Sequence, residues 1–341
     1  MRLVLLGTGT VGSAFVARWQ RLAAQGVVLP HFSALANSRC VVDCVGDAPH
    51  ALSVADRMPR DANAGLFDSS LLVHGDIVVD ATGSEAVAAR HAHWLARGIH
   101  VATANKLGNG SDLLRAQSIG RAQRETGAGY GDAATVGAGL PLLRSIRELV
   151  AGGDRIHAVE GVLSGSLAWL FGNYDGVRAF SGLVREARNA GFTEPDPRLD
   201  LSGEDVRRKL LILARAAGLP LESHEVTVDS MLPDALASAG LDAVDAWLES
   251  LDEPLRQRFQ AAHEQGARLC FVGGFNADGA SVGLRALPVD HPLLGGNGTD
   301  NRVAIFSDRY REQPLVIQGP GAGAEVTAAA LVDDALRFMR H

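Results

Sequence analysis

A short hydrophobic run followed at once by a glycine-rich turn is the feature that most limits how this chain can fold. Residues 3–6 (Leu-Val-Leu-Leu) precede Gly-Thr-Gly-Thr-Val-Gly at residues 7–12, and residues 13–22 then show helical spacing of hydrophobic side chains. Strand, G-x-G-x-x-G turn and helix in this order are typical of dinucleotide-binding domains. We therefore expect residues 7–12 to contact the pyrophosphate of a nicotinamide cofactor, although glycine-rich turns also occur for structural reasons alone.

Each residue of this turn has an expected role. Gly7 permits the tight turn, Gly9 lets the backbone approach the pyrophosphate, and Gly12 lets the helix pack closely on the strand. Thr10 and Val11 lie where the helix begins, and a helix N-terminus offers oriented N–H groups and partial positive charge to phosphates.

The pattern continues downstream as strands that alternate with helices. Residues 77–80 are a predicted strand and residues 98–103 a predicted turn and strand, and strands that alternate with helices imply a parallel sheet with helices on both faces. Ligands of such sheets lie at the carboxyl ends of the strands, which places Thr82, Thr103 and Lys106 on the cofactor side. An exposed surface lysine is the alternative interpretation of Lys106.

The end of the second predicted strand indicates which nicotinamide cofactor binds. NAD sites usually have an acidic residue there, which binds the 2′-hydroxyl of the ribose. Residues 32–36 are the predicted strand, and Asn-Ser-Arg follows at residues 37–39 without a carboxylate. Arg39 suits a 2′-phosphate, so we expect NADP, with NAD as the alternative and a solvated loop cation as the other interpretation of Arg39.

Composition excludes several classes of protein. The chain has 341 residues, of which 47% are hydrophobic and 21% charged, so it is globular and long enough for about two domains. A net charge of −7 argues against nucleic acid as a partner, and no hydrophobic run approaches a membrane span. Three cysteines are a sparse, odd set, as expected in a reducing compartment. We therefore expect a soluble cytoplasmic protein.

Three further stretches indicate a family. They are Thr-Val-Gly-Ala-Gly-Leu-Pro at residues 135–141, the segment at residues 161–171, and Gly-Phe-Thr-Glu-Pro-Asp-Pro at residues 191–197, followed by Asp200 and a predicted helix at residues 204–217. Together they resemble homoserine dehydrogenase, most closely the dehydrogenase portion of bifunctional aspartokinase–homoserine dehydrogenases. The likeness extends over nearly the whole chain.

The resemblance implies an activity, a fold and an oligomeric state. The activity is NAD(P)-dependent interconversion of L-homoserine and L-aspartate 4-semialdehyde, on the route to threonine and methionine. The fold is α/β, with a Rossmann-type doubly wound parallel sheet at residues 1–134 and an α/β substrate and dimerisation domain at residues 135–305. Residues 306–341 return to the nucleotide domain and bring Gly321 and Gly323 to the cofactor. A homodimer or larger homo-oligomer is expected, and the chain is either a short form or part of a longer protein.

The resemblance also implies site residues. Lys209 takes the place of the catalytic lysine, with Asp205 beside it and Lys106 as the lysine of the T-x-N-K motif. The implied substrate-binding residues are Ser166, Gly191, Glu194, Asp200 and Asp205.

Elementary chemistry agrees with these roles. Asp205 and Lys209 are spaced i,i+4, so they share one helix face. Reduction of an aldehyde needs a proton for the developing alkoxide, which a lysine with a tuned pKa donates. Glu194 suits the ammonium group of an amino acid substrate. Two alternatives remain: Ser202 and Asp205 form a capping box, or Asp205 and Lys209 form an ordinary surface ion pair.

The chain departs from the family at a monovalent cation site. Members often have an acidic residue three positions before the valine of T-V-G-A-G, but here that position is Ala133, with Asp132 one residue earlier. We therefore expect a cation to bind weakly or not at all. The carbonyl groups that remain as ligands are those of Val136, Ala138 and Leu140.

Two other functions compete. A semialdehyde dehydrogenase acts through a thioester and needs a nucleophilic cysteine near the nicotinamide, but Cys40, Cys44 and Cys270 are not well placed for that role. A catalytically inactive NADP-binding regulator is the other alternative. The spacing of His91 and His93 does not suit a metal, and a structural role is expected for both.

Overall fold

The computed structural model describes residues 1–44, 47–59, 69–296 and 298–339. The chain divides into two compact units. The first unit contains Met1–Gly139 and the C-terminal segment from Ala322 onward, and the second contains Leu140–Gly321.

The two units contain twelve strands and fourteen α-helices within the described residues. The strands are β1 (Arg2–Leu6), β2 (His31–Ala36), β3 (Val41–Asp43), β4 (Ile77–Asp80), β5 (His100–Thr103), β6 (Tyr130–Gly131), β7 (Ile156–Val162), β8 (Val226–Val228), β9 (Ala267–Asn276), β10 (Gly279–Pro288), β11 (Asp300–Ser307) and β12 (Leu315–Pro320). The helices are α1 (Thr10–Ala24), α2 (Ala48–Arg57), α3 (Glu85–Ala88), α4 (His91–Ala96), α5 (Leu113–Thr126), α6 (Leu142–Ala151), α7 (Gly165–Asn173), α8 (Phe180–Asn189), α9 (Arg198–Leu201), α10 (Glu204–Ala216), α11 (Asp234–Ser238), α12 (Val244–Trp247), α13 (Asp252–Glu264) and α14 (Ala324–Phe338). None of these helices is long and apolar enough to cross a membrane.

The first unit is built on a six-stranded sheet of order β3-β2-β1-β4-β5-β6. All neighbours are parallel except β2 and β3, so the predicted Rossmann-type sheet is confirmed with one antiparallel edge strand. The exception follows from chain length: only residues 37–40 join β2 to β3, whereas a parallel crossover needs about a dozen residues.

Helices cover both faces of this sheet, which explains the unbroken hydrophobic run of β1. Leu3 and Leu5 pack on one face with Phe15 of α1 and Leu331 of α14. Val4 and Leu6 pack on the other face with the buried side chains of β4, α4 and α5. Because both faces are buried, alternation of polar and apolar residues is absent from the strand.

The second unit is built on a mixed six-stranded sheet of order β12-β11-β7-β9-β10-β8. Its neighbours are antiparallel except β10 and β8, which pair in parallel. Helix α10 packs closely on β9, since a Cβ atom on Gly273 would lie 2.9 Å from Cγ1 of Val206. This close packing holds the N-terminal half of α10 against the sheet.

The segment after residue 305 differs from the expectation that all of it returns to the nucleotide domain. Its first part completes β11 and forms β12, which pairs with β11 from Asp300↔Pro320 to Ile305↔Leu315. Only the chain from Ala322 onward belongs to the first unit, where α14 packs beside α1 and Glu325 forms an ion pair with Arg21 at 2.9 Å. Residues 306–321 stay with the second unit because the backbone of β12 pairs with that of β11.

Candidate cofactor and substrate sites

The three glycines of the turn between β1 and α1 have different surroundings. Gly7 has φ of +98°, where glycine is favoured, and a Cβ atom there would lie 2.7 Å from the carbonyl oxygen of Ala81. A Cβ atom on Gly12 would lie only 2.0 Å from the carbonyl oxygen of Gly7. Gly9 has no neighbour within 4 Å of such an atom. Gly7 and Gly12 therefore shape the turn, whereas Gly9 leaves an open surface above it.

The first turn of α1 is free to bind an anion. The helix begins after Gly9, which supplies no side-chain cap, and the first turn contains no acidic residue. Thr10 is exposed there and Val11 is half-buried. The backbone N–H groups of such a turn carry partial positive charge, which suits a phosphate.

A cleft of about 510 Å3 lies at the carboxyl ends of β1, β2 and β4. It brings together four residues that the sequence predicts for the cofactor: Gly7, Gly9, Arg39 and Thr82. Sequence reasoning missed other lining residues, because they come from loops that converge only in the fold. Those that bear polar side chains are Asn37, Ser38, Ser84, Arg90 and Trp94, and Thr8 of the predicted turn at residues 7–12 lines the cleft as well.

Arg39 lies on the turn after β2, which Asn37 holds in shape. The side-chain amide of Asn37 donates to Oγ1 of Thr8 at 2.8 Å, and its oxygen accepts from the backbone N–H groups of Arg39 at 2.7 Å and Cys40 at 3.0 Å. The guanidinium of Arg39 is about one-third exposed, 3.9 Å from the carboxylate of Asp56. It presents a cation at the cleft wall where NAD sites usually have a carboxylate.

The residues after β5 are placed differently from one another. Thr103 is fully buried and outside the cleft lining, and its hydroxyl accepts from the backbone N–H of Asn105 at 2.9 Å. Lys106 is half-buried on the following turn, and its carbonyl accepts from the N–H of Gly110 at 2.7 Å. Thr103 therefore supports the turn on which Lys106 lies.

In the second unit, Lys209 lies on α10 and is only 8% exposed. Its Nζ donates to the carbonyl oxygen of Leu163 at 2.7 Å and lies 2.9 Å from Oδ2 of Asp205. This lysine is buried, so the interpretation as an ordinary surface pair is wrong. The capping-box interpretation is wrong as well: the N-cap of α10 is Gly203, with φ of +78° and no side-chain cap.

Asp200 lies beside this pair, on the short helix α9. Ser166 donates to Oδ1 of Asp200 at 2.7 Å, and the backbone N–H of Glu194 donates to Oδ2 at 2.9 Å. Burial raises the pKa of Asp200, and the charge of Asp205 raises it further, while the two hydrogen bonds and Lys209 oppose the shift. The side chain of Glu194 is exposed. The cation of Lys209 and the carboxylates of Asp200, Asp205 and Glu194 therefore lie on neighbouring segments of the second unit.

Three predicted glycines have structural reasons of their own. Gly191 follows the C-terminus of α8, with φ of +73°, and is exposed. A Cβ atom on Gly321 would overlap the side-chain oxygen of Asn301, so only glycine fits there. Gly323 has φ of +130° and is the N-cap of α14. Neither Gly321 nor Gly323 is part of the cleft lining described above.

The predicted cation loop does not contain the expected carboxylate. Position 133 is alanine, and the neighbouring Asp132 is buried and accepts from the side-chain amide of Asn109 at 2.8 Å. Within the described chain, no group of three or more His, Cys, Asp or Glu side chains suits a metal ion. Two carboxylates lie next to this loop, those of Asp132 and Asp334, and the backbone N–H of Ala133 donates to Oδ2 of Asp334 at 3.1 Å. The other oxygen atoms expected to face a cation are backbone carbonyls. The carbonyls considered are those of Val136, Ala138 and Leu140.

Two of the three cysteines, Cys44 and Cys270, lie in surroundings that disfavour the thiolate. Burial raises the pKa of the Cys44 thiol to about 11, with Asp43 and Asp47 adding to the shift. Burial also raises the pKa of Cys270 to about 11. Because the thiolate is the nucleophile, these raised pKa values disfavour a nucleophilic role for both residues at neutral pH.

Comparison with known proteins identifies the family. The profile of "Homoserine dehydrogenase, NAD binding domain" matches residues 7–130, and the profile of "Homoserine dehydrogenase" matches residues 141–336. The first unit thus matches an NAD-binding domain. The match to the profile of "Homoserine dehydrogenase" extends over more than half of the chain.

Individual relatives agree with the profiles. The chain is 45% identical over 268 residues to a bifunctional aspartokinase/homoserine dehydrogenase of Zea mays, which covers 78% of this chain and 29% of that protein. It is 38% identical to a homoserine dehydrogenase of Schizosaccharomyces pombe, with coverage of 77% and 72% respectively. A solved structure of a Candida auris protein of unknown function superposes with a TM-score of 0.88, at 33% identity, over 100% of this chain and 98% of that one.

These relatives differ in length from the chain. It spans less than one third of the maize protein but nearly three quarters of the fission-yeast enzyme. The two profiles and these identities agree, and the chain belongs to the homoserine dehydrogenase family.

Proposed function

We propose that this chain interconverts L-homoserine and L-aspartate 4-semialdehyde with a nicotinamide cofactor. The observation that supports the proposal most is the buried Lys209, whose Nζ lies 2.9 Å from Asp205 in a helix that packs against the substrate-domain sheet. Taking the charge of a lysine out of water is costly, so a buried lysine needs a partner, and Asp205 supplies one here.

In this proposal Lys209 moves the proton. In the oxidative direction its neutral amine takes the proton of the homoserine hydroxyl, while a hydride leaves the carbon that bears this hydroxyl. In the reductive direction its ammonium donates that proton to the developing alkoxide. The bound cofactor supplies or accepts the hydride. Asp205 orients Nζ, and the hydrogen bond to the carbonyl of Leu163 holds it in place at 2.7 Å.

The acidic residues near Lys209 suit an amino acid substrate. Homoserine carries an ammonium group, which carboxylates bind through charge-assisted hydrogen bonds. Glu194 has an exposed carboxylate, and Asp200 is held in position by Ser166 and by the backbone of Glu194. We assign both carboxylates to the substrate ammonium, with Gly191 and Ser166 as supporting residues.

The cofactor in this proposal is NADP rather than NAD. Residues 7–12 and Thr82 bind the pyrophosphate and ribose portions, and Lys106 lies toward the reacting end of the cofactor. Arg39 pairs with the 2′-phosphate in the cleft, where Asn37 replaces the acid of NAD sites. Arg90 lines the same cleft and supplies a second cation there.

The experiment is a turnover assay of the purified full chain at alkaline pH, followed by NADPH absorbance. We expect L-homoserine to reduce NADP, and L-serine, which is one methylene shorter, to be a poor substrate. Reduction of NADP only when aspartate semialdehyde and phosphate are added would instead indicate a semialdehyde dehydrogenase. Tight binding of NADPH with no turnover of either substrate would indicate an inactive regulator.

A further inference from the structure

A buried carboxylate lies beneath the cofactor cleft, at the carboxyl end of β4. Asp80 is 0% exposed and accepts hydrogen bonds from two groups of Thr82 at Oδ1, the backbone N–H at 2.9 Å and the hydroxyl at 2.6 Å. Its Oδ2 accepts from the side-chain amide of Asn105 at 3.0 Å. One carboxylate therefore binds residues that follow two different strands of the sheet.

A histidine and a tyrosine complete this network. His91, the first residue of α4, is 0% exposed, with Nε2 3.0 Å from Oδ2 of Asp80. Its Nδ1 lies 3.1 Å from the hydroxyl of Tyr130 on β6. Since a carboxylate only accepts, Nε2 donates to Asp80, and in the tautomer with its proton on Nε2 the other ring nitrogen, Nδ1, accepts from the hydroxyl of Tyr130. Each polar atom of the ring has one partner.

The network also joins the two turns directly. Asn105 donates to the carbonyl oxygen of Ser84 at 2.9 Å, so the turn after β5 is bound to the turn after β4. The backbone of Gly108 lies against the far end of the network: a Cβ atom there would lie 2.1 Å from the hydroxyl of Tyr130 and 3.1 Å from Nδ1 of His91. The turn that contains Lys106 is therefore packed onto the histidine and tyrosine.

We propose that His91 and Tyr130 are positioning residues for the cofactor, acting through Asp80 on Thr82 and on the turn of Asn105 and Lys106. The inference rests on the proposed function, because it takes Thr82 and Lys106 to be cofactor contacts. His91 supplies the donor that balances the second oxygen of a carboxylate buried from water, and Tyr130 fixes the tautomer and the ring.

The physical reason is that a buried carboxylate rearranges when a donor is lost. Without Nε2–H, Oδ2 of Asp80 retains Asn105 and a weak contact with the hydroxyl of Thr103 at 3.4 Å. The carboxylate then turns toward other donors or draws water in, and the turns that it holds move with it. Supporting hydrogen bonds of this kind set the precision of a binding site.

The test compares His91→Leu with His91→Gln, whose side-chain amide restores a donor toward Asp80. Affinity for NADPH is measured by fluorescence titration without substrate, together with steady-state KM and kcat. We expect His91→Leu to weaken NADPH binding by roughly 10-fold with the KM for homoserine changed by less than about 2-fold. We expect His91→Gln to recover most of the affinity.

Two further variants separate positioning from general stability. Tyr130→Phe keeps the ring but removes the donor to His91, so it should weaken NADPH binding by about 3-fold. Leu95→Val is the matched control, since Leu95 is buried on the same helix outside the network and should lower the melting temperature without changing NADPH affinity.

Unchanged NADPH affinity in a folded His91→Leu protein would overturn the inference, as would equal weakening by Leu95→Val. A Gln variant as impaired as the Leu variant would also contradict it, because the donor would then be irrelevant. These outcomes are separate from the proposed function, which fails if the wild-type chain does not turn over homoserine, whatever its affinity for NADPH.

Discussion

Removal of the Lys209 amine is the perturbation that most tests the proposed chemistry. Lys209→Met keeps the length of the apolar stem, so the buried volume changes little while the charge and the proton donor are lost. The carbonyl of Leu163 loses its donor at 2.7 Å, and Asp205 loses its partner at 2.9 Å.

The expected effect on rate exceeds the expected effect on stability. General acid–base catalysis typically contributes about 10²–10⁴-fold, so kcat should fall by that factor. An unsatisfied buried carbonyl costs about 1–3 kcal/mol of unfolding free energy. NADPH affinity should remain, because the glycine-rich turn at residues 7–12 belongs to the other unit.

A matched control exists on the same helix. Arg215 is also a buried cation of α10; it donates to the carbonyl of Leu221 at 2.9 Å and lies 3.7 Å from Glu222. Arg215→Met should therefore lower the melting temperature but leave kcat within about 2-fold. Steady-state kinetics and thermal melting of both variants decide the matter. A Lys209→Met enzyme with wild-type kcat would refute the assignment of the proton-transfer residue.

Four further predictions have defined outcomes. Gly9→Ala should fold with an unchanged melting temperature, since its Cβ meets no atom within 4 Å, but it should lose NADPH binding. Gly12→Ala places its Cβ 2.0 Å from a carbonyl oxygen and should lose both thermal stability and NADPH binding. Calorimetry and NADPH titration of the two variants check this pair. Arg39→Ala should lower the ratio of kcat/KM for NADP over NAD by roughly 10- to 100-fold, and a ratio that does not move would contradict the 2′-phosphate contact. Sodium or potassium should activate little at constant ionic strength, because Ala133 supplies no anionic ligand; saturable activation of several-fold by one ion would contradict this. Burial raises the folded-state pKa of Asp200, so the stability that depends on its proton is present below its ordinary value of 3.8 and is lost as pH rises through the folded pKa. Relative to Asp200→Asn, the wild type should lose unfolding free energy over that rise in pH, and parallel pH profiles of the two proteins would contradict the shift.

The local pattern of hydrophobic residues predicts most of the first unit's sheet. The exception, the antiparallel strand β3, follows from the short connection between β2 and β3. Continuous hydrophobic runs at β1 and β4 predict strands buried on both faces, and both formed within one residue of the predicted bounds. The antiparallel β3 needs only the observation that residues 37–40 are too few for a crossover. The position of β12 depends instead on backbone pairing with β11, which has no signature in its own sequence.

The sequence predicts only part of the candidate site, namely the features that depend on local spacing along the chain. The i,i+4 spacing of Asp205 and Lys209 shows that they share a helix face, but not that the face is buried. That burial depends on Leu163, a residue 46 positions away from Lys209. Arg90 lines the cofactor cleft, and His91 contacts Asp80 beneath it. Both contacts arise because the ends of β2, β4 and β5 converge. The sequence predicts that the carboxyl ends of the strands meet at the cofactor side, but it does not show which side chains at or after the following helices reach that point.

Isotope transfer tests the central claim most directly. L-homoserine carrying two deuterium atoms on its hydroxyl-bearing carbon is incubated with NADP and the purified chain, and the nicotinamide product is analysed by mass spectrometry. Direct hydride transfer predicts one deuterium on the reduced nicotinamide ring and one in the aldehyde group of the semialdehyde. Reduced cofactor without deuterium, or no reduced cofactor at all, would contradict the proposed function.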